Sequence, residues 1–243
     1  MIVESTNVEN MHKSPAFAKP VLQAVRVLNL YACLGGNRYK WDEVANIEVT
    51  AVELDEELAK LYQERFPNDK VIIADAHQYL LDHFKEFDFI WSSPPCPSHS
   101  RMRYMCTKSN IGNGADRDII YPDMKLYQEI LLLQNYAECN WVIENVIPYY
   151  EPLIPAQKVG RHLFWSNFKI GNYQEKGANV RIGSMEQLQK DNGFDISKYK
   201  IKHRKDTILR NCVDSELGQY ILDCANKIVR QKNTNQTSLF TEW

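Results

Sequence analysis

The chain has 243 residues, 44% of them hydrophobic and 25% charged, an ordinary globular composition for one domain or one domain plus a small attachment. Its formal net charge of −2 argues against a general nucleic-acid coat, although a local basic surface can still hold phosphates. No apolar run approaches the ~18 residues of a membrane helix, and Met1 to Ala18 has no apolar core before a cleavage site, so the chain reads as cytoplasmic. Cys33, Cys96, Cys106, Cys139, Cys212 and Cys224 are irregularly scattered in a chain long enough to hold a core without disulfides, and free thiols are expected.

From Val25 onward, β-rich apolar runs alternate with helical patterns, the signature of a mostly parallel sheet covered by helices. Strands are predicted at Val27–Tyr31, Ile47–Glu53, Lys70–Ala74, Phe87–Ser92 and Trp141–Asn145. Asp55 is placed to cap a helix carrying Leu58, Leu61, Tyr62 and Phe66. A second helix is predicted over Asp123–Cys139, with Tyr127, Ile130, Leu131 and Gln134 near one face. After Trp165 the pattern degrades, and Gly171–Asn192 reads as part of a loop-rich insertion. A last helix, Ser215–Val229, places Leu217, Ile221, Ala225 and Ile228 on one stripe, and the polar residues 231–243 are expected to be disordered.

Candidate chemistry clusters at the predicted strand ends. The first strand runs into Cys33-Leu34-Gly35-Gly36-Asn37, a turn whose missing side chains would let a ligand approach the backbone. Glu53 ends the second strand, where a carboxylate can accept from both ribose hydroxyls of an adenosine-containing cofactor, and Asp75 follows the third strand, placed for an adenine amino group. A structural turn with two surface acids is the alternative. The fourth strand opens into Ser93-Pro94-Pro95-Cys96-Pro97-Ser98-His99-Ser100, a proline-stiffened loop with a reachable thiol. The fifth ends in Glu144-Asn145-Val146, so a carboxyl could face Cys96 across the cleft as an acid, or be a strand-end salt bridge. Cys96, His99 and Cys106 are also weighed as metal ligands, but a fourth ligand is missing and no metal is expected.

Together these residues resemble the DNA (cytosine-5) methyltransferase family, whose motif order is followed from about Val27 to Val229. Leu30-Tyr31-Ala32-Cys33-Leu34-Gly35-Gly36 looks like its cofactor loop, Pro95-Cys96 like its nucleophile motif and Glu144-Asn145-Val146 like its acid motif. Arg161-His162-Leu163-Phe164-Trp165 resembles the arginine-bearing segment, with one clear arginine rather than two, and Asn211-Cys212-Val213 the motif before the last helix. The resemblance implies an α/β, Rossmann-like S-adenosylmethionine-dependent methyltransferase fold, a mostly parallel sheet with helices on both faces and a small loop-rich insertion. It divides the chain into a flexible segment 1–20, a catalytic core 21–168, a reduced target-recognition region 169–208, a returning helix 209–230 and a flexible tail 231–243.

By the same resemblance Cys96 attacks C6 of a flipped cytosine, Glu144 contacts N3 and the exocyclic amine, Asn145 braces the nucleophile loop and Arg161 binds O2. S-adenosylmethionine would lie against Tyr31, Ala32, Cys33, Leu34, Gly35, Gly36, Glu53, Leu54, Asp75, Ala76, Pro95, Asn211 and Val213. Cys33 replaces a usual glycine, and Arg210 stands where a glycine usually precedes Asn211. DNA would meet Ser98, Arg101, Arg103, Lys200, Lys202 and Arg204, the last three within the densest basic stretch, and a solvated charged face is the alternative. Three other functions stay open: an amino-methyltransferase, whose similar motif carries an aromatic residue where Cys96 stands; a tRNA cytosine-5 methyltransferase; and a catalytically inactive DNA-associated module. The stretch Gln236-Thr237-Ser238-Leu239-Phe240 resembles the peptide by which bacterial proteins dock on the DNA sliding clamp, with Gln236, Leu239 and Phe240 as its contacts.

Overall fold

A computed structural model of the protein describes residues 24–101, 104, 121–174 and 184–238, with side chains through Lys227. The flexible segment expected over residues 1–20 lies outside the described residues. In chain order the elements are β1 (Val25–Leu30), β2 (Ile47–Glu53), α1 (Glu56–Arg65), β3 (Lys70–Ile73), α2 (Ala76–His83) and β4 (Phe89–Ser92). Then come α3 (Lys125–Tyr136), β5 (Asn140–Val146), β6 (Gln157–Val159), β7 (His162–Ser166), α4 (Met185–Asn192), α5 (Lys205–Asn211) and α6 (Ser215–Ser238).

The seven strands form one sheet in the order β3-β2-β1-β4-β5-β7-β6. β1 to β5 are parallel, and β7 and β6 close the edge antiparallel. This is a doubly wound, Rossmann-like α/β sheet closed by an antiparallel edge. The strand order reverses between β1 and β4, and the crevice beyond the carboxyl ends at such a point is where open α/β sheets bind ligands. Leu30 pairs with Val52 and Ser92, and Ser92 with Ile143. The next residue on each strand, Tyr31, Glu53, Ser93 and Glu144, therefore stands at one edge of the sheet.

Alternation along the strands divides the core. Val27, Val49, Phe89, Trp91, Val142 and Phe164 point to the face covered by Leu217, Ile221, Leu222 and Ala225 of α6. Leu28, Leu30, Val52, Ile90 and Ile143 point to the other face, under Leu80 of α2 and Leu126, Ile130 and Leu133 of α3.

Several expectations are corrected. The buried face of α3 is Leu126, Tyr127, Ile130 and Leu133, whereas Leu131 is 51% exposed and Gln134 is exposed. The hairpin β6–β7 was not foreseen, and the region 169–208 is more than loop: α4 and most of α5 fall within it. Leu188, Ile196 and Ile208 from that region pack on Leu34 and Leu61, so it is joined to the core beside the β1 turn. The tail is not wholly irregular, because the backbone of α6 continues through Ser238 and takes in Gln236. Leu239 and Phe240 lie outside the described residues. Among the described residues, no helix is long and apolar enough to cross a membrane.

Candidate active site

A cavity of about 810 Å³ opens at the carboxyl edge of the sheet and is lined by Tyr31, Cys33, Glu53, Leu54, Asp75, Ala76, Pro95, Cys96, Glu144, Asn145, Arg161 and Asn211. His99, Asp123, Lys125, His162, His203 and Arg210 also line it. The remaining cofactor candidates are not among the residues that line it. Ala32, Leu34 and Val213 are buried. A side chain on Gly35, whose φ is +65°, would meet Phe66 at 2.5 Å, and one on Gly36 would meet the Val213 carbonyl oxygen at 2.6 Å. On the side where each glycine would carry a side chain, the space is filled by the protein's own atoms.

The turn after β1 is tightly coiled: Tyr31 and Cys33 both have positive φ, 56° and 46°, in the left-handed region where side chains are disfavoured. This explains why β1 stops at Leu30 and why glycine suits position 33. Glu53 holds the turn, since its carboxylate accepts from the Cys33 N–H at 2.8 Å and the Asp55 N–H at 2.9 Å. Asp55 caps α1 by accepting from the N–H groups of Glu57 and Leu58. Asp75 caps α2 rather than ending β3, accepting from the Gln78 N–H at 3.0 Å, and that bond is the main reason its carboxyl sits below the usual range.

Beneath the cavity lies Glu129, a fully buried carboxylate on α3 that the sequence reading missed. It accepts from the Tyr31 hydroxyl at 2.6 Å and the Ser92 hydroxyl at 2.7 Å, and lies 3.1 Å from His77 Nδ1. Burial and the Glu129 charge push the Tyr31 phenol far up, so it stays a neutral donor. One carboxylate thus joins the β1 turn, the end of β4 and α2.

Cys96 is half-buried, and its thiol is pushed up first by burial and then by the charge of Glu144. Asn145, buried, donates from Nδ2 to the Pro94 carbonyl oxygen at 3.0 Å and so fixes the approach to Cys96. Ser98 Oγ accepts from the Asp123 N–H at 3.0 Å, and Arg101 Nε donates to the Pro148 carbonyl oxygen at 2.8 Å. Burial holds His99 below the ordinary histidine range, and its Nδ1 lies 2.5 Å from the Tyr150 hydroxyl.

Glu144 Oε1 meets His162 Nδ1. Both partners are buried, whereas Arg161 is exposed on the rim. Sequence reasoning had no route to this pair, because it depends on the antiparallel register of β5 and β7.

The basic stretch is interleaved with acids: His203 pairs with Asp55 at 2.8 Å, Lys202 lies 4.0 Å from Glu57 and Arg204 3.0 Å from Asp206. Lys200 is exposed. Asp55, Glu57 and His203 also bring ligand-type atoms within 4.8 Å of one another, but Asp55 already caps α1 there. Arg103 and Cys106 lie outside the described residues.

Residues 25–121 match the family model described as C-5 cytosine-specific DNA methylase. No curated protein matches the chain. Among solved structures, a mutant of DNMT2 from Spodoptera frugiperda is 24% identical over 51% of this chain and 36% of its own, with a TM-score of 0.34. The SAM-dependent methyltransferase from Agrobacterium tumefaciens is 18% identical over 53% of this chain and 40% of its own, with a TM-score of 0.33. The match therefore spans well under two thirds of either neighbour. The matched segment, residues 25–121, carries the β1 turn, Glu53, Asp75 and the Cys96 loop, and it is over this segment that the chain is similar to the C-5 cytosine-specific DNA methylases.

Proposed function

We propose that the protein transfers a methyl group from S-adenosylmethionine to carbon 5 of cytosine in DNA, through a covalent bond between Cys96 and the base. The observation that carries this reading is the single cavity onto which Cys96, Glu144, Tyr31 and Glu53 open from four neighbouring strand ends.

The donor set fits an adenosine-type cofactor. The Tyr31 ring offers a face for the adenine, the Glu53 carboxylate is held at the strand end where ribose hydroxyls would be received, and Asp75 and Asn211 complete the lining. S-adenosylmethionine, when bound, supplies its methyl group as an electrophile on a sulfonium sulfur.

The chain's own residues prepare the ring. Once the Cys96 thiol has given its proton to water, the sulfur donates an electron pair to C6, the ring π electrons shift towards N3, and Glu144 gives N3 its proton, leaving C5 electron-rich. After methyl transfer, water takes the C5 proton, the Cys96 sulfur leaves with its bonding electrons and N3 returns its proton to Glu144, which restores the aromatic ring. Asn145 keeps the Cys96 loop in register through Pro94. A base stacked in a duplex cannot reach a thiol at a strand end, so the cytosine must be flipped out.

The experiment is methyl incorporation from labelled S-adenosylmethionine into unmethylated plasmid DNA and, separately, into structured RNA, with Cys96→Ala alongside. Label in DNA that depends on Cys96 supports the reading. Label in RNA alone moves the substrate to RNA, and label that ignores Cys96 removes the mechanism.

A further inference from the structure

β5 and β7 run antiparallel with Glu144 opposite Phe164 and Val146 opposite His162. Glu144 and His162 are therefore diagonal neighbours on one face of the sheet, close enough for their side chains to meet. They do so at the wall of the cavity onto which Cys96 also opens. Each is 7% exposed. The segment resembles one that supplies arginine, yet in this chain the guanidinium of Arg161 stands on the rim and an imidazole has the inner place.

We propose that His162 is a positioning residue for the reaction: its Nδ1–H donates to Glu144 Oε1, keeping the acid's proton on Oε2 and supporting the carboxylate that forms when N3 takes that proton. The inference rests on the methyl-transfer reading above. Its physical basis is the cost of leaving a carboxylate unpaired in a nearly dry site. Proton transfer to N3 creates that charge, and a hydrogen bond already aimed at it offsets the desolvation. The fixed donor also stops the carboxyl group from rotating, so the oxygen offered to the base is always the same one.

The imidazole shares its surroundings with groups that also bear on the rate. The titratable and charged groups around it are Glu144 on β5 and Cys96 on the loop after β4, with Arg161, His203 and Arg210 along the same cavity and Lys158 beside it on β6. The pH test must therefore separate His162 from Cys96, whose ionisation also governs the rate.

Two variants make that separation. His162→Leu has no donor, while His162→Asn places an amide N–H near the position of Nδ1 and does not titrate. The assay is the rate of covalent trapping, across the pH range, on duplex DNA polymerised with 5-fluorocytosine nucleotides. Binding of S-adenosylhomocysteine and a melting curve report folding. His162→Leu should trap about 10²-fold more slowly with cofactor-product binding retained, the scale of losing one aimed donor. His162→Asn should recover most of that rate, with the alkaline rise from Cys96 kept in both variants. A His162→Leu protein trapping at the wild-type rate, or a His162→Asn protein no faster than His162→Leu, overturns the inference and leaves the methyl-transfer reading intact. Wild type that neither traps nor methylates removes both.

Discussion

Asn145 Nδ2 donates to the carbonyl oxygen of Pro94 at 3.0 Å, so the strand that bears Glu144 also grips the loop that bears Cys96. The nucleophile and its acid are thereby set by one side chain whose own Oδ1 accepts from the Val146 N–H at 2.9 Å. Asn145→Ala leaves the Pro94 carbonyl oxygen buried and unmatched, at a cost of about 1–3 kcal/mol of stability. It should slow methyl transfer by about tenfold or more, the scale of a misplaced reacting group, while binding of S-adenosylhomocysteine is retained. Steady-state rates and calorimetric binding on the same preparation check it, and weakened binding with an unchanged rate would contradict the bracing role.

The ionisation of Cys96 provides a prediction that needs no nucleic acid. Burial and the negative charge of Glu144 both raise the thiol, so at neutral pH the free protein holds Cys96 mostly protonated. Over the alkaline range in which the thiol titrates, Glu144 has given up the proton it offers N3 and is charged, so removing that charge favours the thiolate. Glu144→Gln should therefore shift the pH profile of iodoacetamide alkylation at Cys96 to lower pH, followed by peptide mapping to exclude the other cysteines. A profile that stays in place or moves upward would mean that Glu144 does not act on the thiol.

Glu129 couples the cofactor turn to the end of β4. Glu129→Gln replaces one acceptor oxygen with an amide donor facing hydroxyls that now donate, an unfavourable exchange for a group with 0% exposure. The expected result is weaker binding of S-adenosylhomocysteine and a lower melting temperature, because Tyr31 loses the partner that fixes its ring. Tyr31→Phe removes only one of the hydroxyls and should be the milder change. Unaltered cofactor-product affinity in Glu129→Gln would limit the carboxylate to a structural role.

Packing beside the cofactor turn is predicted to be intolerant. A side chain on Gly218 of α6 would stand 2.2 Å from the Asn37 carbonyl oxygen, and backbone cannot yield as a flexible side chain does. Gly218→Ala should destabilise the protein by about 1–3 kcal/mol, the usual scale of overpacking, despite alanine's better helix propensity. Denaturant melts decide it: a more stable Gly218→Ala protein would show that α6 does not press on this turn.

What the sequence disclosed was set by local signals. Apolar runs bounded by polar ends marked β1 to β5 within a residue or two, and the chemistry-bearing residues stood out because they follow those runs. Relationships across the sheet were hidden. Glu129 is a charged residue in an apolar helix pattern, and its burial depends on Tyr31 and Ser92, far away in the chain. His162 was passed over for its neighbour Arg161 because a charged residue in a motif draws the eye, while the β5–β7 register decides which of the two points inward. The helix α4 buries only Leu188 and is otherwise polar, so its pattern was too faint to separate from loop. Gly35 and Gly36 were read as space for a ligand, and sequence could not show that Phe66, Tyr62 and the Val213 carbonyl crowd the side on which each glycine would carry a side chain.

The central claim is that Cys96 bonds covalently to a cytosine. The most direct measurement is mass spectrometry of the full chain incubated with S-adenosylmethionine and duplex DNA polymerised with 5-fluorocytosine nucleotides, followed by peptide mapping. The fluorine at C5 cannot leave as a proton does, so the reaction should stop with the methylated base still bound to the sulfur. The account predicts a stable adduct on the peptide containing Cys96, absent without S-adenosylmethionine and absent in Cys96→Ser. A wild-type protein that methylates ordinary DNA yet forms no adduct, or one whose adduct maps to another residue, would contradict it.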